Sequence, residues 1–197
     1  MKVSTKQLTQ TVAPVVEPVS LAEMRKHLRD PDTAEDTLID LQITAKRQWV
    51  EKRLQMSLVQ RTYRADLWNF ADVMELPVPP LSSVTNIKYY TTDSPQVLTT
   101  LGSDIYRVDT SAGLIYRAEG ESWPSWSYRH DAVQITFITG FEPIGSPQDF
   151  AGNIPEAIKA AIKLQVGDLF ENRESNTQLR MQELPTVKAL ISAFKEY

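Results

Sequence analysis

Apolar residues recur at helical spacing near both ends of the chain and at alternating positions through its middle. Leu21, Met24 and Leu28 share one helical face, and Ser20 with Glu23 supplies a capping box in front of them, with Val19 and Met24 placed as a hydrophobic staple. Asp30-Pro31 stops that helix, because proline excludes the helical conformation for the residue before it. A second helix is expected from a cap at Asp32 or Thr33 to about Leu54. Leu38, Leu41, Ala45 and Trp49 recur along it at three- and four-residue spacing, and Ile39, Ile43 and Val50 widen the stripe. A stripe this wide implies contact with more than one neighbour.

From Arg61 the period changes to two. Tyr63, Ala65 and Leu67 alternate with Arg64, Asp66 and Trp68, and Val133, Ile135 and Phe137 alternate with polar neighbours, both as half-buried strands do. Val84–Tyr90 reads as another strand. Tyr106–Val108 and Leu114–Tyr116 flank Asp109-Thr-Ser-Ala-Gly113 as a hairpin. Helical spacing returns after a loop from Gly140 to Asn153. Pro155 opens a long helix that buries Ile158, Ala161, Ile162, Leu169 and Phe170 and turns Glu156, Lys159 and Lys163 to water. A polar stretch, 175–182, leads to a last helix from near Pro185, with Val187, Leu190, Ile191 and Phe194 on one face.

The pattern predicts an α+β protein: a small α-helical bundle of about four helices, with a β-rich insertion between the second and third long helices. Residues 1–19, polar and without a period, are expected to be a flexible N-terminal arm. Residues 20–60 and 151–197 form the bundle, and 61–150 the insertion. That middle segment holds six of the seven tyrosines, three of the four tryptophans and seven of the twelve prolines.

Composition narrows the chemistry. The 197 residues are 42% hydrophobic and 23% charged, with no cysteine, which excludes disulfides, thiolate zinc sites and cysteine nucleophiles. No apolar run reaches the ~20 residues of a membrane span, and the N-terminus has no signal-peptide core; a soluble protein made in a reducing cytoplasm is expected. The net charge is −4, but residues 61–150 hold six basic against eleven acidic groups, a balance of −5. Such a segment repels phosphate, which argues against a DNA-binding packaging factor.

Candidate catalytic chemistry is sparse. No glycine-rich phosphate loop, zinc-spaced histidine pair or nucleophile elbow occurs, and His27 and His130 stand apart. Ser192-Ala-Phe-Lys195 has S-x-x-K spacing without companion motifs. Glu119-Gly-Glu121 reads as a solvated turn, and Asp104, Asp109 and Asp131 fit no calcium loop. No catalytic residue, cofactor or metal is expected. The Trp123-Pro-Ser-Trp126-Ser-Tyr128 cluster is open to three readings: a sugar-stacking platform, a subunit contact or the cap of a small sheet. The Val187/Leu190/Ile191/Phe194 stripe with Tyr197 either packs on its own bundle or enters a partner's groove.

Four segments in order carry a family resemblance: Pro18-Val-Ser-Leu-Ala-Glu-Met-Arg-Lys-His-Leu28, the proline-split Glu75–Tyr89, Ile135-Thr-Phe-Ile-Thr-Gly140, and the Pro155–Glu174 helix with the Glu183-Leu-Pro185 ending. Together, over about 18–194, they resemble the head–tail connector (adaptor) proteins of tailed bacteriophages and gene-transfer particles. The resemblance implies a virion structural protein at the head–tail junction, made in the host bacterial cytoplasm. It would form a ring with itself, on the order of twelve copies by closure of a head-to-tail contact. The ring would sit beneath the portal protein, join it to a stopper or tail-terminator protein, and surround a channel that DNA crosses without specific binding. No membrane is involved. Val187, Leu190, Ile191, Phe194 and Tyr197 would then bind the portal, and Trp49, Trp123, Trp126 and Tyr128 would make subunit contacts. The alternative is a carbohydrate-binding or glycoside-active module using Trp123 and Trp126. The long N-terminal arm and the polar Phe194-Lys-Glu-Tyr197 ending depart from the family pattern.

Overall fold

The computed structural model describes residues 2–3 (backbone only), 7–29, 32–144, 149, 151–171 and 185–194. It is a mixed α and β protein with four helices and two sheets among these residues. The chain divides into two compact units, one of Met1–Pro14 with Gln60–Gly140 and one of Val15–Val59 with Phe141–Tyr197.

The first unit contains the strands. A five-stranded antiparallel sheet has the order β2 (Gln7–Val12), β3 (Arg61–Leu67), β9 (Val133–Thr139), β5 (Leu81–Tyr90) and β6 (Leu98–Thr100). A four-stranded sheet has the order β1 (Lys2–Val3), β4 (Val73–Glu75), β8 (Leu114–Arg117) and β7 (Tyr106–Asp109), with β1 parallel to β4 and the other pairs antiparallel. The alternation in β9 is read faithfully: Val133, Ile135, Phe137 and Thr139 are buried and the residues between them half-buried. Their partners Leu67, Ala65 and Tyr63 on β3, and Tyr89, Ile87 and Val84 on β5, extend one apolar face across three strands. Between β4 and β5, Val78 has φ 68°, a left-handed conformation strained for a β-branched residue.

The reading of residues 1–19 as a flexible arm is corrected. Gln7–Val12 pairs antiparallel with β3, and Lys2–Val3 pairs with β4. The strand at 7–12 is an outermost one, and apart from the half-buried Thr9 its residues are exposed. It needs no apolar alternation, so periodicity could not reveal it. The backbone of β3 holds it instead.

The second unit contains α1 (Leu21–Leu28), α2 (Asp36–Leu54), α3 (Glu156–Glu171) and α4 (Pro185–Ser192). The capping box forms as expected: the Glu23 N–H donates to Ser20 Oγ (3.2 Å), and the Ser20 N–H donates to Glu23 Oε2 (3.0 Å). Val19 and Met24, the expected staple, are both fully buried in this unit's core. α1 ends at Arg29 in the left-handed conformation (φ 55°); the Asp30-Pro31 stop lies outside the described residues. The expected cap of α2 at Asp32 or Thr33 is also corrected. The helix starts at Asp36 after Glu35, and Asp32 Oδ1 instead accepts the Ala34 N–H at 3.1 Å. Asp36 is then free to pair with Arg25 of α1, whose Nε donates to Oδ1 at 2.6 Å and whose Nη2 reaches Oδ2.

The buried face of α2 differs from the predicted stripe. Ile39, Ile43, Arg47, Val50, Glu51 and Leu54 are buried, whereas Leu41 and Ala45 are exposed and Leu38 and Trp49 half-buried. The inward face is interrupted by two charges that pair with each other. Arg47 Nη1 donates to Glu51 Oε2 (2.8 Å), Arg47 Nε to Glu17 Oε2 (2.7 Å), and Arg47 Nη2 to Glu17 Oε1 (3.2 Å). Thr44 Oγ1 donates to Glu17 Oε1 (2.9 Å), and Glu51 Oε1 accepts the Leu58 N–H (2.9 Å). Burial opposes the charge on Arg47, but the hydrogen bonds it donates to Glu17 and the field of Glu51 outweigh that and raise its pKa. Lys159 of α3, expected in water, is buried, and its Nζ donates to Glu156 Oε1 at 2.8 Å.

Arg47→Ala is expected to destabilise the helical unit by about 3–5 kcal/mol, since Glu51 is left buried without its cation. Arg47→Met with Glu51→Gln should recover a large part of that loss, because the amide still accepts the Leu58 N–H. Urea unfolding followed by far-UV circular dichroism, which reports the helices, measures both; equal losses in the two variants would refute the account. A second expectation concerns pH. The hydrogen bond from the Ser20 backbone N–H, with a second from its hydroxyl, holds the pKa of Glu23 below its ordinary value. Its contribution is therefore complete above the unfolded value of about 4.3 and is lost as pH falls through the lower folded value. Glu23→Gln should flatten this part of the stability–pH curve and leave the neutral and alkaline limb unchanged in slope.

Candidate interaction surfaces

In the sheet unit, Phe70 collects the aromatic residues singled out in the sequence. Trp123 stacks on it (centroids 4.7 Å, 8°), Trp126 meets it edge-on (5.5 Å, 80°), and Tyr89 approaches at 5.9 Å. Trp123 Nε1 donates to the Ala71 carbonyl at 3.1 Å. Both tryptophans are half-buried against the sheet core. Of the three readings of this cluster, the cap of a sheet is the one these two rings satisfy. Trp123 has one face on Phe70 and its N–H donor engaged within the fold, as a ring that caps the sheet core does.

Tyr128 differs from them. It is 91% exposed, with its ring 5.7 Å from that of Trp68, and His130 meets Trp68 at 6.4 Å. Beside them the Arg129 guanidinium lies 3.6 Å over the Tyr90 ring and donates through Nε to Asp131 Oδ1 at 2.5 Å. Burial would raise the Asp131 pKa, but the hydrogen bonds from Arg129 win and lower it. The alternation placed Trp68 in the strand with Arg64 and Asp66; it lies one residue beyond β3, and its partner Tyr128 is sixty residues further along the chain.

In the helical unit, α2 also carries apolar residues outside its buried face. Leu41 is 64% exposed, Ala45 is exposed, Leu38 is half-buried, and Trp49, also half-buried, packs against the edge of the core. The terminal stripe is divided. Val187 and Ile191 are fully buried in this unit's own core, with Leu190 and Phe194 packed against it. Of the two readings of this stripe, packing on its own unit describes these four side chains: Val187 and Ile191 lie inside the core and Leu190 and Phe194 are partly buried against it, so withdrawing them would cost the burial they have. Tyr197 lies outside the described residues.

The weaker chemical candidates resolve into local structure. Ser192 Oγ donates to the Ala189 carbonyl (2.8 Å) within its own helix, and Lys195 lies outside the described residues. Asp109 accepts from Ser111 and Ala112 in its hairpin turn, and Asp131 serves Arg129. Glu119 and Glu121 are exposed on either side of Gly120, a turn residue with φ 81°. Among the described residues no three metal-ligating side chains gather, and no helix is long and apolar enough to cross a membrane. Two substitutions separate the surfaces from the core. Leu41→Lys is expected to change folding stability by no more than about 0.5 kcal/mol, while Trp123→Ala costs on the order of 2 kcal/mol or more. Thermal unfolding of the two variants decides; a large loss in Leu41→Lys would place that side chain inside the fold.

No protein-family model and no curated protein matches the chain. Solved structures share its fold, among them the following three. A chain in the neck of an empty gene transfer agent (GTA) particle, computed with C6 symmetry, is 25% identical with a TM-score of 0.72, covering 96% of this chain and 95% of that one. A chain in the virion of the native GTA particle is 24% identical at a TM-score of 0.72, covering 96% and 95%. One in the native neck computed with C12 symmetry is 23% identical at 0.67, covering 96% and 94%. The likeness runs through both units and nearly the whole length of each chain, and it places this protein's fold with the neck, or head–tail connector, proteins that its sequence resembles.

Proposed function

We propose that this chain is a structural head–tail adaptor of a gene-transfer or phage-like particle, acting as one subunit of a ring at the head–tail junction. The observation that carries this reading is the near-complete mutual coverage with a chain of the GTA neck at 25% identity. A domain shared by many functions would match over one unit; here the helices, the sheets and their order match together. The C6 and C12 symmetries of the similar neck structures support a ring of many copies.

In this proposal the helical unit is the body and the sheet unit an insertion between α2 and α3. A closed ring needs two different contact surfaces on each subunit. The Leu38/Leu41/Ala45/Trp49 line supplies one in the helical unit, and Tyr128 on Trp68 extends contacts from the sheet unit. α4 faces the portal, with Val187 and Ile191 seating it on its own unit and Leu190 and Phe194 at the rim of the contact. A stopper or tail-terminator protein takes the other side of the ring. The −5 balance of residues 61–150 suits the wall of a channel that DNA must cross without being held. The role is one of assembly, without catalysis.

Particles produced without this chain are expected to yield DNA-filled heads and free tails that do not join, as seen by negative-stain electron microscopy. Heads still joined to tails at the usual frequency would overturn the proposal.

A further inference from the structure

The five-stranded sheet leaves both of its edges open, and the two edges are matched. Among the described residues nothing pairs with the outer side of β2 or of β6. Such edges present unpaired N–H and C=O groups, and folded proteins usually guard them with charge, proline, a bulge or a very short strand. The other sheet does so: its outermost strands include Lys2 in β1 and Arg107 and Asp109 in β7. β2 (Gln-Leu-Thr-Gln-Thr-Val) and β6 (Leu-Thr-Thr) carry neither charge nor proline, and a single irregularity near Thr11 is the only interruption. Apolar exposure follows the same pattern. Of the eight large hydrophobic residues exposed among the described residues, four lie at these edges: Leu8 and Val12 on β2, Val97 and Leu98 at β6.

Direction adds a third match. Each neighbouring pair from β2 through β3, β9 and β5 to β6 is antiparallel. Five alternating strands bring the two edges out pointing the same way. Copies related by rotation about a ring axis along the strands would therefore meet β6 to β2 as a parallel pair, and the same contact could repeat around the ring. A dimer joined through two copies of one edge would leave the other edge open.

We infer that the β6 edge of one copy adds to the β2 edge of the next, joining the five-stranded sheets of successive subunits. The occupant of the β2 edge is a second copy of this chain. The inference rests on the ring proposed above and names the contact that closes it: backbone hydrogen bonds give the attachment, and Leu8, Val12, Val97 and Leu98 give the apolar cover.

The absence of cysteine makes a clean test possible. Gln7, Thr9 and Val12 lie on the same face of the sheet as Asp66, Arg64 and Thr62, and Thr100 lies on that face through Lys88 and Gln134. Gln7→Cys, Thr9→Cys and Val12→Cys, each combined with Thr100→Cys, sample the possible registers. Within one subunit the two edges are four strand spacings apart, about 19 Å, and a disulfide needs Cα atoms within about 7 Å, so any bond formed joins two copies. Oxidised particles carrying at least one of these pairs should give a denaturing-gel ladder of dimers, trimers and higher multiples, absent from the single-cysteine variants. A chain present in purified particles that gives no ladder with any pair overturns this inference alone, as do dimers from the single variants. A chain absent from particles, unmodified as well as variant, overturns the adaptor reading and this contact with it. Amide exchange on the unmodified chain gives an independent measure: β2 must be better protected in particles than in the free monomer, and equal exchange refutes the contact.

Discussion

Arg47 is the residue on which the helical unit depends. Its side chain is 4% exposed and divides its hydrogen bonds between Glu17, ahead of α1, and Glu51, one helical turn further along α2. Glu51 in turn holds the Leu58 N–H at the exit from α2. One guanidinium thus fixes where the chain enters this unit and, through Glu51, how it leaves α2. A buried cation with a planar fork of donors suits two carboxylates better than an ammonium would. The arrangement costs desolvation, and its return is a defined position for segments on either side of α1 and α2.

With α2 oriented by that pair, the rest of the unit follows. Ile39, Ile43, Val50 and Leu54 turn inward to meet Ile158, Ala161, Ile162 and Val166 of α3 and Val187 and Ile191 of α4 in one core. The same rotation sends Leu41 and Ala45 outward. Leu41 and Ala45 on the solvent side of this helix are the apolar surface that the proposed ring contact would use. The sheet unit repeats the theme by other means, with Phe70, Trp123 and Trp126 closing its core and leaving Tyr128 and two uncharged strand edges outside.

Several elements were legible because their cause is local. The Ser20–Glu23 capping box, the β9 alternation and the hairpin of β7 and β8 involve residues a few positions apart, and each formed as read. Others were hidden for a physical reason. β2 has no period because its partner is a backbone and most of its side chains face solvent. β4 and β6, three residues each, are too short for alternation to register. The face of α2 was misplaced because Arg47 and Glu51 occupy inward positions, and periodicity counts charges as outward. Trp123 and Trp126 were visible as a cluster, but whether a ring is covered depends on Phe70, more than fifty residues away.

The sequence by itself determined the helices, the cap of α1, the change of period from 3.6 to two and back, and an ordered set of segments that pointed to head–tail connector proteins. These are properties of neighbours along the chain, set by backbone geometry and side-chain spacing. Only the tertiary structure decided which side of α2 faces inward, that the N-terminal residues form a sheet edge, and that Val187 and Ile191 belong to their own core. Each of those outcomes turns on a partner distant in sequence: a carboxylate for a buried cation, a strand for an exposed one, a helix for a terminal stripe. Local pattern records that a residue is apolar or charged; what it meets is settled when the chain closes on itself.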